Sequence, residues 1–112
     1  MHRDEAVALL TRYRQLFQVA YIFGSVARGE ADEYSDLDVI IVRNTELPFP
    51  DRGRDFIDMI WESGGAELLI YTPDEFSRQV AKDGFVAQVL QEAIRIEGEQ
   101  ERGRAVVEPS SE

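Results

Sequence analysis

Apolar positions along the chain follow two periods. Across residues 4–17 they recur at spacings of three and four. Ala6, Leu9, Leu10, Tyr13, Leu16 and Phe17 share one face, and Arg12 and Arg14 fall on others, which predicts an amphipathic helix. The pattern then tightens. VAYIFG (19–24) is β-branched and aromatic and closes on glycine, so it reads as a short buried strand. SVARGEA follows as one or two helical turns with Ser25 as the cap. LDVIIV (Leu37–Val42) is almost unbroken in its apolar character, as expected of a central strand covered on both faces.

Pro48 and Pro50 mark a loop. A helix capped by Asp51 is expected next, with Phe56, Ile57, Ile60 and Trp61 on its inner side and Gly64-Gly65 as its stop. AELLIY (Ala66–Tyr71) is a third strand. Thr72, Pro73 and Glu75 then occupy the cap, first and third positions of a capping box. A last helix is expected over 85–96, with Val86, Val89, Leu90 and Ala93 inward. The tail from 97 on loses periodicity, which predicts a folded unit over 1–98 and a frayed, disordered end over 99–112.

The expected order is therefore α-β-α-β-α-β-α-α, an α/β (α+β) fold with one small sheet and helices packed on it. The link between the first two strands is only about a dozen residues, near the minimum for a parallel crossover. An antiparallel first pair, and hence a mixed sheet, is the expectation.

Composition narrows the function classes. The 112 residues suit one domain, and an apolar fraction of 44% can fill a core. Net charge is -10, from 22 acids against 12 bases, which argues against a non-specific nucleic-acid binder. Eleven of the bases are Arg, a residue suited to bidentate phosphate or carboxylate contacts, although genome composition explains the bias equally well. Without cysteine there can be no disulfide, thiolate metal site or Cys nucleophile. The charged start lacks a signal-peptide core and no apolar run reaches membrane-spanning length, so a cytoplasmic protein is expected.

The acids are not spread evenly. Five lie between Glu30 and Asp38. Asp36 and Asp38, two apart at a strand entry, project to one face, while Leu37 turns to the core. Two such carboxylates repel unless a cation lies between them, and oxygen ligands at this spacing suit Mg²⁺ or Mn²⁺. Glu30, Asp32 and Glu33 read as a solvated spacer. Gly24 and Ser25, at a strand-to-helix turn, can offer backbone N–H groups and a hydroxyl to an anion. Arg28 could contact phosphate or brace the acidic loop. Glu67 stands second in an otherwise apolar strand. It is either an edge residue reaching water or a third carboxylate, able to hold a metal or take a proton from a hydroxyl.

Together Gly24-Ser25, ten intervening residues, Asp36-Leu37-Asp38 and then Ala66-Glu67-Leu68 resemble the signature of the DNA-polymerase-beta-like nucleotidyltransferase superfamily. The longer string GSVARGEADEYSDLD, with AELLIYTPDEF after it, is similar to the minimal nucleotidyltransferase (MNT) subgroup over about 19–96. The resemblance implies transfer of a nucleoside monophosphate from a triphosphate, ATP above all, to a hydroxyl. It implies that Gly24, Ser25 and Arg28 bind the nucleotide phosphates, and that Asp36, Asp38 and Glu67 are catalytic and bind two Mg²⁺ ions, or Mn²⁺. Glu67 departs from the many relatives with Asp there, so a longer side chain must fit the same corner.

The subgroup also implies a partner, a helical HEPN (higher eukaryotes and prokaryotes nucleotide-binding) protein. Adenylylation of that toxin's tyrosine would make this chain an antitoxin. A homodimer is a further option. Two other readings stay open: a binding module that neutralises a partner by contact, and a transferase acting on a small molecule such as an aminoglycoside.

Overall fold

The computed structural model describes residues 1–32 and 34–101. Their elements are α1 (Arg3–Thr11), a 3-10 turn (Arg14–Leu16), β1 (Val19–Phe23), α2 (Gly24–Arg28), β2 (Leu37–Val42), 3-10 turns at Phe49–Asp51 and Arg54–Phe56, α3 (Ile57–Ser63), β3 (Ala66–Tyr71), α4 (Pro73–Ala81), α5 (Phe85–Leu90) and β4 (Ile94–Glu97). The four strands form one sheet in the order β3-β2-β1-β4. β1 runs antiparallel to both β2 and β4, and β2 runs parallel to β3. The sheet is mixed, as the short first link requires. Among the described residues no helix is long and apolar enough to cross a membrane.

β1, β2 and β3 feed two cores, and β4 feeds the first. Ala20, Ile22, Leu37, Val39, Ile41, Ile70 and Ile96 turn to the face covered by Leu9 and Leu10 of α1, Val26 of α2 and Met59 of α3. Val19, Ile40 and Val42 turn to the opposite face and pack on Val86 and Val89 of α5 and Phe76 of α4. Coverage of both faces is why β2 shows no polar alternation after Asp38. The capping box at α4 forms as read. Thr72 Oγ1 accepts from the Glu75 N–H at 3.2 Å, and Glu75 Oε1 accepts from the Thr72 N–H at 3.0 Å. Arg52, almost wholly buried, ties this corner down by donating to the carbonyls of Leu47 and Ile70 and to both Glu75 oxygens.

Several boundaries move, each for a tertiary reason. The first helix stops at Thr11 rather than Phe17. Phe17 and Gln18 are drawn into extended pairing instead: the Gln18 N–H donates to the Val42 carbonyl, and Gly98 and Gln100 donate to the carbonyls of Gln18 and Phe17. Asp51 lies inside a 3-10 turn and caps nothing, and α3 begins only at Ile57. The inner face of α3 is correspondingly rotated. Phe56 and Met59 are buried, whereas Ile57 is half exposed and Trp61 is 80% exposed. Ser25 is not a cap but lies within the first turn of α2, after Phe23.

The largest correction is at the C-terminal end. The helix expected over 85–96 ends at Leu90, and Ile94–Glu97 is a fourth strand on the free edge of β1. Ile-Arg-Ile-Glu alternates with period two, placing Ile94 and Ile96 against the first core. Of the tail expected over 99–112, Glu99 and Gln100 are hydrogen-bonded to the carbonyls of Arg14 and Phe17, and residues 102–112 lie outside the described residues.

Candidate active site

Strand direction gathers the chemistry at one end of the sheet. β1 finishes where β2 and β3 start, because it is antiparallel to β2 while β3 is parallel. Phe23 therefore pairs with Asp38, and Asp38 pairs with Glu67. Gly24 and Ser25 follow Phe23, and Asp36 precedes β2 by one residue. Asp38 and Glu67 share the face on which Ile40 packs, at the end that α4 and α5 leave uncovered.

Two glycines make room for the aspartates. Gly24 has φ +74°, and a side chain added there would collide with Asp38 Oδ2. Gly65 has φ +143°, and a Cβ there would lie 2.7 Å from Asp36 Oδ1. Both backbone conformations favour glycine, so each carboxylate rests in a space that any other residue would fill. The Leu37 N–H donates to the Gly65 carbonyl at 3.0 Å and locks this approach.

The three carboxylates have no internal counter-charge at contact. Among the described residues none of Asp36, Asp38 and Glu67 is in an ion pair or accepts a hydrogen bond. Burial pushes the Asp38 carboxyl above its usual value, and Glu67 and Asp36 push it further, while Arg28 opposes them at longer range. Ser25 is half-buried, and its hydroxyl likewise makes no hydrogen bond among the described residues. Arg28 is fixed differently. Its Nε donates to Glu30 at 2.9 Å and its NH1 group to Glu92 at 3.0 Å, so it braces the acidic loop against the turn that follows α5.

The spacer is more organised than its composition suggests. Asp32 Oδ1 accepts from the Tyr34 N–H at 2.9 Å and the Ser35 hydroxyl at 3.1 Å, a local turn that delivers the chain to Asp36. Glu33 lies outside the described residues.

The donor set fits a hard divalent cation in kind: oxygen only, uncompensated and on one face. Among the described residues no three His, Cys, Asp or Glu side chains are drawn close enough together to hold an ion as they stand. Mutual repulsion of uncompensated carboxylates favours such separation. Sequence reasoning missed one feature of this end: Gly65 stops a helix and also admits a carboxylate, and no sequence signal distinguishes a glycine that does both from one that only ends a helix.

The chain is similar to known proteins. A family model described as the nucleotidyltransferase domain matches residues 8–107. A solved structure assigned as a minimal nucleotidyltransferase is 32% identical, with a TM-score of 0.51 over 84% of this chain and 95% of its own. Another, assigned as a nucleotidyltransferase from Sulfolobus solfataricus, is 27% identical, covers 68% of each chain and has a TM-score of 0.43. No curated protein matches.

Proposed function

The chain belongs to the nucleotidyltransferase domain family, and from that membership we propose that it moves AMP from ATP onto a hydroxyl of a partner protein. The observation that carries this reading is that Asp36, Asp38 and Glu67, all uncompensated, stand at the same end of the sheet as Gly24 and Ser25. Asp36, Asp38 and Glu67 would hold the divalent cations, Mg²⁺ or Mn²⁺. When bound, such ions neutralise phosphate charge and make the acceptor hydroxyl more acidic.

The residues of this chain divide the remaining work. Gly24 gives a backbone without a side chain where the phosphates must approach the aspartates, and the free Ser25 hydroxyl donates to a phosphate oxygen. Arg28 adds positive charge at longer range and keeps the acidic loop in place. The acceptor oxygen bonds to the α-phosphorus as the bond from that phosphorus to the bridging oxygen breaks. Pyrophosphate leaves with the bond electrons, and Glu67 takes the hydroxyl proton. The acceptor in this reading is a tyrosine of a HEPN-type helical toxin, the partner that the resemblance of the sequence to the minimal nucleotidyltransferase subgroup implies.

The test is incubation with labelled ATP, Mg²⁺ and the protein encoded beside this one. Label should pass to that protein with wild type and fall by at least about a hundredfold with Asp36→Ala or Asp38→Ala, the equivalent of roughly 3 kcal/mol of barrier. Tight binding of the partner with no label transfer, unchanged by either substitution, would mean neutralisation by contact instead.

A further inference from the structure

Phe85 opens α5 and is 56% exposed. Val86 and Val89 already supply the buried stripe of that helix, so the core does not need the Phe85 ring. A large aromatic side chain left outside at such a position calls for a reason. Its neighbour supplies one. The rings of Phe85 and Phe23 meet edge to face, with centroids 5.8 Å apart and planes at 81°. In such a contact one ring offers its edge and the other a face. Whichever way round, at least one face of Phe85 is left clear of Phe23.

Phe23 ties that ring to the candidate active site. It is the last residue of β1, and Gly24 and Ser25 follow it directly. It pairs with Asp38, and residues directly opposite in a ladder put their side chains on the same face. Phe23, Asp38 and Glu67 therefore form one row across β1, β2 and β3, on the face that carries α4 and α5. The row has a direction. The turn assigned to the phosphates follows its β1 end, and Glu67, assigned to take the acceptor proton, is its β3 end. What lies over Phe23 is thus on the nucleotide's side of Asp38 and not on the acceptor's. Phe49, the other exposed phenylalanine, touches Tyr71 at the opposite end of β3. Among the described residues no ring contact links the exposed Tyr34 or Trp61 to this row.

A nucleoside triphosphate divides as this corner does. Its phosphates need cations and N–H groups, and its base is a flat, uncharged ring that gains from leaving water. We propose that Phe85, held by Phe23, is the base platform of the site and stacks on the purine ring of the triphosphate, adenine in the reaction above. Stacking on an aromatic face needs no hydrogen bond to the base, so the platform sets where the nucleoside lies rather than which purine is used. The inference rests on the transferase reading, and Phe85 binds the base without exchanging a proton.

Binding is read by calorimetry with Mg²⁺ and two probes: a non-hydrolysable ATP analogue, and inorganic tripolyphosphate, which has the phosphates but no base. Phe85→Ala should weaken the analogue about tenfold, the equivalent of about 1.4 kcal/mol, and tripolyphosphate less than about twofold. Phe85→Leu, which keeps an apolar contact with Phe23 but offers no flat face, should lose as much, and Phe85→Trp should restore binding. In the transfer assay Phe85→Ala should raise KM for ATP about tenfold and leave KM for the acceptor within about twofold. Equal loss for both probes, undiminished binding of the analogue, full binding by Phe85→Leu, or a rise in the acceptor KM in place of the ATP KM overturns the proposal. If the analogue binds through Phe85 while no acceptor is labelled, the transferase reading fails and the platform stands. If label passes and Phe85→Ala leaves KM for ATP unchanged, the platform fails and the transferase reading stands.

Discussion

Asp38→Asn should make the protein more stable and less active at once. The register places Asp38 directly beside Glu67 on neighbouring parallel strands, about 4.8 Å apart along the sheet. Coulomb's law at that distance gives about 0.9 kcal/mol of repulsion in water and about 3.5 kcal/mol at a surface-like dielectric. Asp38 is only half-buried and Glu67 is exposed, so the lower end applies, and removing one charge should gain about 1 kcal/mol. Asparagine keeps the shape, so the space beside Gly24 is neither emptied nor overfilled. For a chain of this size the gain is a rise in Tm of about 4 °C. The assay is urea or thermal unfolding at neutral pH with a chelator, repeated with excess Mg²⁺. Wild type should gain stability from Mg²⁺, about 1.4 kcal/mol at ten times Kd, and the variant little. Nucleotidyl transfer should fall at least about a hundredfold in the variant. The reasoning is refuted if Asp38→Asn loses stability in the chelator, or if Mg²⁺ stabilises both proteins equally.

Three further variants test the scaffold. Gly24→Ala should cost about 2 kcal/mol in urea unfolding and abolish transfer, because φ +74° disfavours a side chain and that side chain would displace the Asp38 carboxylate. Glu75→Gln should cost about 3 kcal/mol by leaving the buried Arg52 without its counter-ion, read by thermal unfolding. The same pair sets an acid limit. Its hydrogen bonds with Arg52 lower the Glu75 carboxyl from 4.5 to about 2, so its contribution is complete above pH 4.5 and is lost as pH falls towards 2; Glu75→Gln should flatten stability in that window. Gly98→Ala should loosen the attachment of β4, since its methyl would collide with the Phe17 carbonyl, and amide exchange should speed up across Ile94–Glu97 before the rest of the sheet.

The site was legible because its signals are local. A glycine after an apolar run, two aspartates two apart and a lone acid in an apolar strand each state their own geometry, since alternation along a strand fixes which face a residue takes. The mixed sheet followed from a link too short for a parallel crossover, and the Thr72–Glu75 box from a pattern complete within four residues. Asp32 shows the limit even at short range. Its acid was read as solvent-facing charge, yet it accepts from Tyr34 and Ser35 and shapes the approach to Asp36.

What the sequence by itself determined was the order of α1 through α4, the three strands β1, β2 and β3, and the identity of the residues with chemistry to offer. Tertiary structure decided where periodicity yields to pairing. Phe17 fits the apolar stripe of a helix, but its carbonyl is needed by Gln100, and the chain extends there instead. Ile94 and Ile96 fit a helix end as well as a strand, and the open edge of β1 settles them as β4. Trp61 fits an inner helical face, but the late start of α3 turns it outward. In each case a local pattern admits two conformations of similar energy, and the choice belongs to a hydrogen-bonding partner or a packing surface far away in the chain.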